Sequence, residues 1–237
     1  HRNPRALPGI TLPEGIAAVT LPDVQRFLRA EYTPANATLT VAGRFDTAQV
    51  RAWIERYFGA IASAPAVTHP RPQQPPTLTG ERVVRYRLPS ANDAVVMVWP
   101  TAPLRTSGDA ELDVVAELLA RRPDGILRTA LVESGAATSV AAMQRSDDDG
   151  SEFWLQVSLA PDRSFDPVLD AIDRALLALR RTTLPAAPVE SVVHEWTRRT
   201  VQYAQSPLSR WSLVSEHPDA DAAGLLRTDL RRYTAVR

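Results

Sequence analysis

The stretch "EYTPANATLTVAGRFD", residues 31–46, contains signals that end one helix, turn the chain and begin another helix. Pro34 ends the first helix because proline cannot donate to the helical hydrogen-bond ladder. The apolar and β-branched residues 38–42 predict a short strand that closes at Gly43. Asp46 is a typical N-cap for the following helix. The stretch therefore predicts a helix–strand–helix unit.

Each of the two predicted helices carries one apolar stripe. The stripe in residues 21–33 consists of Leu21, Val24, Phe27, Leu28 and Tyr32. The stripe that follows Asp46 consists of Val50, Trp53, Ile54, Tyr57 and Phe58. Because each element has only one apolar face and the unit is small, we expect it to need a further packing partner.

A proline-rich stretch separates this unit from the rest of the chain. Its prolines are Pro65, Pro70, Pro72, Pro75 and Pro76. A segment with many prolines and few large apolar residues is typical of a semi-extended linker. We therefore predict a first domain at residues 1–64, a linker at 65–80 and a second domain at 81–237.

The region after the linker predicts the order β-β-α-α-β-β-α-α. The expected strands are 82–88, 94–99, 137–144 and 152–159, and the expected helices are 109–121, 126–134, 165–180 and the residues after 186, with breaks near Pro207 and Pro218. The strand 94–99 is almost wholly apolar, which favours a central position in the sheet. In 152–159 apolar and polar residues alternate, which predicts one buried face. The fold class is α+β, a mostly antiparallel sheet with helices packed on one face.

The composition excludes several classes of function. The 27 basic and 27 acidic residues balance, so there is no basic surface typical of a nucleic-acid-binding protein. No apolar run approaches the roughly 18 residues of a membrane span. The absence of cysteine excludes disulfides, thiolate zinc sites and a cysteine nucleophile. All basic residues are arginine, which also excludes Schiff-base lysine chemistry, and this composition is typical of a GC-rich bacterial genome.

Residues 21–43 resemble the end of the first domain of insulinase-like (pitrilysin-type) zinc peptidases. That family has a helix beginning with Thr-x-x-Asp-Val, an aromatic-x-Pro-x-Asn turn and an apolar strand that ends in glycine. The matching residues are Val24, Phe27, Tyr32, Pro34, Asn36 and Gly43. Further along, "RAWIERYFGAI" (51–61), "VVMVWPTAPLRTSGDAELDVVAELLA" (95–120) and "GILRTALVESGAATSVAA" (125–142) resemble the helix that follows and the opening of the second domain.

The resemblance implies a duplicated architecture, in which two similar α+β domains form half of a peptidase chamber. Two such halves enclose an unfolded peptide. It also implies a zinc ion in the first domain, held by an inverted H-x-x-E-H helix and a distant glutamate, with the glutamate of the motif activating water.

The zinc motif itself does not occur in this chain. "HEWTR" (194–198) has Arg198 where H-E-x-x-H needs a histidine, and "LVSEH" (213–217) has Leu213 where H-x-x-E-H needs one. A surface histidine beside an acid is the simpler interpretation of each. We therefore expect no metal ligand and no catalytic residue here, and zinc in the remainder of the parent protein or in a partner.

In many relatives an arginine on the second-domain helix and a tyrosine on the next strand hold the substrate. Alignment of "LVESGAATSV" (131–140) places Val132 at the arginine position and Thr138 at the tyrosine position. Valine has no donor, and the threonine hydroxyl sits on a much shorter arm. We expect these two substrate-binding positions to need replacement by another domain or subunit.

These observations predict a non-catalytic portion of an insulinase-like zinc metalloendopeptidase, inactive alone and taken from the middle of a longer polypeptide. It would form chamber wall and offer sheet edge and apolar surface to an extended peptide. Its partners would be a peptide or unfolded protein and the remaining peptidase domains or a catalytic subunit, with no nucleic acid and no membrane. The resemblance favours the periplasm. The alternatives are a catalytically dead relative that acts as a structural or regulatory subunit, and a stand-alone peptide-binding module.

Overall fold

The computed structural model describes residues 16–63, 78–85, 92–181, 184–216 and 221–237. The helices are α1 (Leu21–Glu31), α2 (Thr47–Phe58), α3 (Asp109–Ala116), α4 (Phe165–Arg181), α5 (Ala186–Gln205), α6 (Pro207–Glu216) and α7 (Ala222–Ala235). The strands are β1 (Ala94–Thr101), β2 (Ala137–Arg145) and β3 (Ser151–Leu159).

The chain divides into two compact units. The first comprises residues 1–73 and 202–225, and the second comprises residues 74–201 and 226–237. The domain limits at 1–64, 65–80 and 81–237 remain a prediction about the domains of the family.

The helices of the first unit begin at side chains that cap them. Thr20 and Asp23 form a capping box at the start of α1, in which the Thr20 backbone N–H donates to Asp23 Oδ2 at 3.1 Å. The predicted N-cap at Asp46 is confirmed, since its Oδ1 accepts from the Gln49 backbone N–H at 2.8 Å. At the end of α1, Asn36 Nδ2 donates to the Glu31 carbonyl at 2.9 Å, which satisfies a terminal helix acceptor.

The predicted strand at residues 38–42 is wrong. In the described part of the chain these residues pair with no strand, and the side chains of Leu39 and Val41 are exposed. The Thr40 carbonyl instead accepts from Trp211 Nε1 at 3.1 Å. β-branched residues favour an extended backbone, but a strand persists only where a neighbouring strand satisfies its N–H and C=O groups.

The sheet of the second unit is antiparallel, in the order β1-β3-β2. The alternation predicted for β3 is confirmed, because Phe153, Leu155, Val157 and Leu159 are all buried. Among the described strands β3 is central and β1 has β3 as its neighbour. The central position predicted for residues 94–99 stays a prediction, because part of the strand predicted at 82–88 lies outside the described residues. Of the predicted strand 82–88, residues 82–85 are irregular and 86–88 lie outside the described residues.

One face of the sheet is covered by helices, which confirms the α+β class. Leu155 and Val157 of β3 pack with Leu119, Val168 and Ile172 in the main core. The remaining members of that core belong to the helical segments and to β2 and β3: Ala116, Ala120, Leu127, Leu131, Ala137, Val140, Ala142, Phe153, Leu159 and Ala175. The predicted helix 165–180 and the helices after residue 186 are confirmed where the chain is described.

Two segments predicted as α-helix contain π-helical turns. The first, Glu117–Arg121, continues α3, and the second, Arg128–Glu133, precedes β2. Gly125 lies between them, where an added Cβ would be 3.0 Å from the Leu119 carbonyl oxygen and 3.1 Å from the Arg122 carbonyl oxygen. A larger residue would force this backbone to shift by a few tenths of an ångström, so the close approach favours glycine.

Of the described helices, none is both long enough and apolar enough to cross a membrane. The longest, α5, carries the charged residues Glu190, Glu195, Arg198 and Arg199.

Replacement of the innermost leucine of β3 tests the assignment of the two sheet faces. Leu155 is fully buried, so Leu155→Ala should lower the free energy of unfolding by ~2–5 kcal/mol through lost burial and a residual cavity. The neighbouring Gln156 points to the opposite face and is exposed, so Gln156→Ala should change it by less than about 0.5 kcal/mol. Urea unfolding monitored by tryptophan fluorescence measures both values. Equal losses in the two variants would show that the faces are wrongly assigned.

Candidate peptide-binding surface

The two positions that the sequence singled out lie in different surroundings. Val132 is in the second π-helical turn, partly buried, and packs against the main core. Thr138 is exposed at the start of β2, beside an irregularity in the strand register, and its hydroxyl donates to the Ser158 carbonyl at 3.3 Å. Val132 thus contributes packing, and the Thr138 hydroxyl is engaged by backbone. Their correspondence to substrate-binding positions of the family stays a prediction.

The π-helical turn that carries Val132 was not foreseen from the sequence. The Ala136 backbone N–H donates to the Leu131 carbonyl at 2.9 Å, and Gly135 takes a φ of 70°, so the chain reverses directly into β2. π-helical turns are rare and occur frequently at functional sites. Their apolar spacing is too close to that of an α-helix for the sequence pattern to separate the two.

The face of the sheet opposite the helices is called here the outer face. Its members are Val96, Val98, Pro100, Ala141, Met143, Arg145, Glu152, Trp154 and Gln156. The register places Val98, Trp154 and Met143 side by side across the three strands. Val98 is 38% exposed and Met143 is 45% exposed, so this apolar row lies open.

Two charged residues hold the indole of Trp154. Its Nε1 donates to Glu152 Oε2 at 2.9 Å, and the guanidinium of Arg145 lies 5.5 Å from the ring centroid. A hydrogen bond at one edge and a cation over the ring restrict the orientation of the side chain. The indole ring of Trp154 therefore has a fixed orientation in the middle of the outer face.

The two outer strands of the described sheet, β1 and β2, each pair with one other strand. Among the described residues, β1 pairs only with β3, and so does β2. Backbone N–H and C=O groups on the outer side of such a strand can bind a further extended segment.

A buried carboxylate lies on the helical side of the sheet, at the start of α3. Asp109 is fully buried and accepts from the Arg105 backbone N–H at 3.0 Å and from Gln144 Nε2 at 3.3 Å. Ser146 Oγ and the Arg232 guanidinium also donate to it. Burial works to raise the pKa of Asp109, but the hydrogen bonds from Ser146 and Arg232 outweigh it and lower the pKa below its ordinary value.

A second carboxylate, Asp113, lies one turn further along α3. It is 9% exposed, and Tyr233 Oη donates to its Oδ2 at 2.6 Å. Burial raises the pKa of Asp113 to about 6. Burial, with the Asp113 charge, also raises the pKa of Tyr233, so the phenol keeps its proton. The Tyr233 ring stacks on Trp196, with ring centroids 4.8 Å apart.

A cavity of about 620 Å³ lies between the end of the first π-helical turn and α5. Charged side chains line this cavity, and most of them form ion pairs with one another. Glu117 lies 3.3 Å from Arg121 and 3.5 Å from Arg199. Glu195 lies 2.6 Å from Arg198 and 2.7 Å from Arg199, and hydrogen bonds from these two arginines lower the pKa of Glu195 to about 2.

The described residues of the two incomplete zinc motifs have other contacts, and His217 of the second motif lies outside the described residues. His194 and Glu195 line the charged cavity, where Glu195 is bound by Arg198 and Arg199. Leu213 of "LVSEH" is a buried leucine. Within the ranges that the structure describes, no three histidine, aspartate or glutamate side chains come together as a possible metal site.

Comparison with known families agrees with this architecture. Residues 18–195 match the family model described as the peptidase M16 inactive domain. The chain belongs to this family. The insulinase-like resemblance inferred from the sequence is thereby confirmed. No curated protein matches the chain.

Solved structures share the fold of this M16 domain at low sequence identity. A protease from Helicobacter pylori is 18% identical with a TM-score of 0.82, covering 95% of this chain and 55% of that one. A peptidase M16 inactive domain from Pseudomonas fluorescens is 12% identical with a TM-score of 0.72, covering 95% and 54%. The periplasmic protease PqqL from Escherichia coli is 17% identical with a TM-score of 0.70, covering 94% and 25%. The chain thus spans about half the length of the first two and a quarter of the third.

Removal of the Asp109 charge tests how much this carboxylate contributes to the stability of the fold. Asp109→Asn removes one of the two carboxylates that bind the Arg232 guanidinium and weakens the hydrogen bonds that converge on a buried oxygen, so we expect a loss of about 1–3 kcal/mol in the free energy of unfolding. The exposed hairpin residue Asp148 provides the control, and Asp148→Asn should change stability by less than about 0.5 kcal/mol. Chemical denaturation at pH 7 measures both. Identical midpoints for the two variants would contradict this role of Asp109.

Proposed function

We propose that this M16 domain is a non-catalytic portion of an insulinase-like zinc metalloendopeptidase, which forms chamber wall and presents the outer face of its sheet to an extended peptide. The open row formed by Val98, Trp154 and Met143 carries this proposal. A contiguous apolar patch on the uncovered side of a sheet is typical of an interaction surface.

The charge of the outer face suits an unfolded substrate of varied sequence. Its two charged members, Arg145 and Glu152, have opposite sign and both contact Trp154. The face therefore has no net charge with which to select acidic or basic peptides. Apolar side chains of an extended segment would lie against Trp154 and Met143, while its backbone would bind the outer side of β1 or β2.

The reaction itself would belong to another part of the assembly. Since neither incomplete motif has a full set of ligand residues and the described residues form no possible metal cluster, the metal would be held by the remaining peptidase domains of the parent or by a catalytic partner subunit. This chain would bind and orient the peptide. The lengths of the H. pylori and E. coli proteases, of which it spans 55% and 25%, support a larger parent. The periplasmic E. coli relative supports a periplasmic location.

The alternative is a catalytically dead family member that acts as a structural or regulatory subunit. The description of the matched family as an inactive domain favours it equally. The presence of an intact H-x-x-E-H motif distinguishes the two functions. If this chain is a portion of an active peptidase, the longer protein contains that motif upstream of His1, and a catalytically dead relative does not.

Peptide binding can be tested on the chain alone. Trp154→Ala should raise the Kd for a fluorescein-labelled, reduced and carboxymethylated α-lactalbumin about tenfold or more, because it removes the aromatic centre of the outer face. Fluorescence anisotropy measures the Kd. Trp211→Ala is the matched control: Trp211 is 40% exposed on α6, outside the outer face, and its loss should leave binding unchanged.

Wild-type binding that Trp154→Ala does not weaken would refute the peptide-binding surface. The parent is tested separately, by immunoblot and mass spectrometry of source cells. A polypeptide at least twice as long, with an H-x-x-E-H peptide upstream of His1, supports the peptidase portion. A species no longer than this chain supports the alternative.

A further inference from the structure

Two carboxylates of α3 face the end of α7. Asp109 and Asp113 lie one helical turn apart, so their side chains share one face of the helix. Arg232 of α7 binds the first, and Tyr233 of α7 donates to the second. Two consecutive residues of α7 thus bind carboxylates on two consecutive turns of α3.

The charges of this cluster do not balance when Asp113 is ionised. Asp229 Oδ1 lies 3.4 Å from Arg105 Nε and 3.2 Å from Arg232 Nη2. Together with Asp109 and Asp113, three carboxylates then face two guanidinium groups. All of these side chains are less than a quarter exposed, so water screens the excess negative charge poorly. One proton on Asp113 removes that excess.

We propose that uptake of a proton by Asp113 strengthens the packing of the end of α7 on α3, so that residues 226–237 are held more firmly in mildly acidic surroundings. Protonation leaves the contact with Tyr233 intact, because a carboxylic acid retains an acceptor oxygen. The strength with which the end of α7 packs on α3 thereby depends on pH. This contact is separate from the outer face of the sheet.

The groups around Asp113 come from four segments. From α7 they are Tyr233 and Arg232, from α3 Asp109, and from the first π-helical turn Arg121, which is paired with Glu117. The α5 side chains packed in the adjoining region are Val189, Val192, Val193 and Trp196, and the charged Arg199 of α5 is paired with Glu117. Arg232 is bound to Asp109 and Asp229, and Tyr233 donates a hydrogen bond to Asp113.

The sign of the pH effect follows from the folded pKa of about 6, which lies above the ordinary value of 3.8. The folded state binds more protons between these two values, so packing strengthens as the pH falls through 6 and levels off near 4. Between pH 7 and pH 5 the equilibrium constant for holding α7 should rise about tenfold. The low pKa of Asp109 acts in the opposite direction, but only below its ordinary value, outside this window.

Amide hydrogen exchange of the whole chain tests the proposal, with rates corrected for the intrinsic effect of pH. The protection of residues 226–237 should rise about tenfold from pH 7 to pH 5. In Asp113→Asn, which keeps an acceptor for Tyr233, protection should be high at pH 7 already and should not rise further. The amides of α4 are the internal reference. Any pH effect that arises elsewhere in the chain is common to both proteins, so the comparison removes it.

An equal rise in wild type and Asp113→Asn, or no rise in wild type, would overturn the proposal. An equal rise in α4 would overturn it too, because the effect would not be local. Tyr233→Phe gives a second reading if the asparagine variant does not fold. It removes the hydrogen bond that lowers the pKa of Asp113, so the rise in protection should begin at a higher pH. An unchanged midpoint in that variant would again contradict the proposal.

Discussion

The buried carboxylate of Asp109 links four parts of the second unit. It receives hydrogen bonds from the loop before α3, from the end of β2, from the β2–β3 connection and from α7. A carboxylate without water is stable only when donors surround it, so the positions of those donors are coupled to one another. Thr101 of β1 joins the same network through Gln144, at 2.9 Å. The end of the sheet and the start of the helical layer are therefore fixed together by polar contacts.

The main core determines which side of the sheet remains open. Helices and π-helical turns cover Leu155 and Val157 on one face. The opposite face keeps apolar side chains at Val98, Trp154 and Met143 without a cover in the described part of the chain. A sheet with one buried face and one uncovered apolar face can bind a further segment on the uncovered side. An extended peptide is the smallest segment that could do so. The two faces therefore have different roles, one for stability and one for contact.

Patterns confined to one element could be predicted from the sequence, and arrangements between elements could not. The alternation in β3, the cap at Asp46 and the helix 165–180 are local properties, and the structure has them. The order of the described strands, and the lack of a described partner strand for residues 38–42, depend on which segments lie alongside, which local composition does not encode. The roles of Asp109 and Asp113 are not visible in the sequence, because their partners Arg232 and Tyr233 lie more than a hundred residues away. The alternation in β3 predicts that Trp154 lies on the face that is not buried, but its contacts with Arg145 and Glu152 need the strand register.

The paired π-helical turns have a consequence for how this region can change in length. An i→i+5 turn holds one residue more than an α-helical turn of the same span, and each residue turns a helix by about 100°. Loss of a single residue from Glu117–Arg121 would restore α-helical geometry there, while the anchor of Gly125 against the Leu119 carbonyl would have to move. The same holds for Arg128–Glu133 before β2. Each turn is thus a site where loss of one residue would restore α-helical geometry and change the rotation with which the chain enters the next segment.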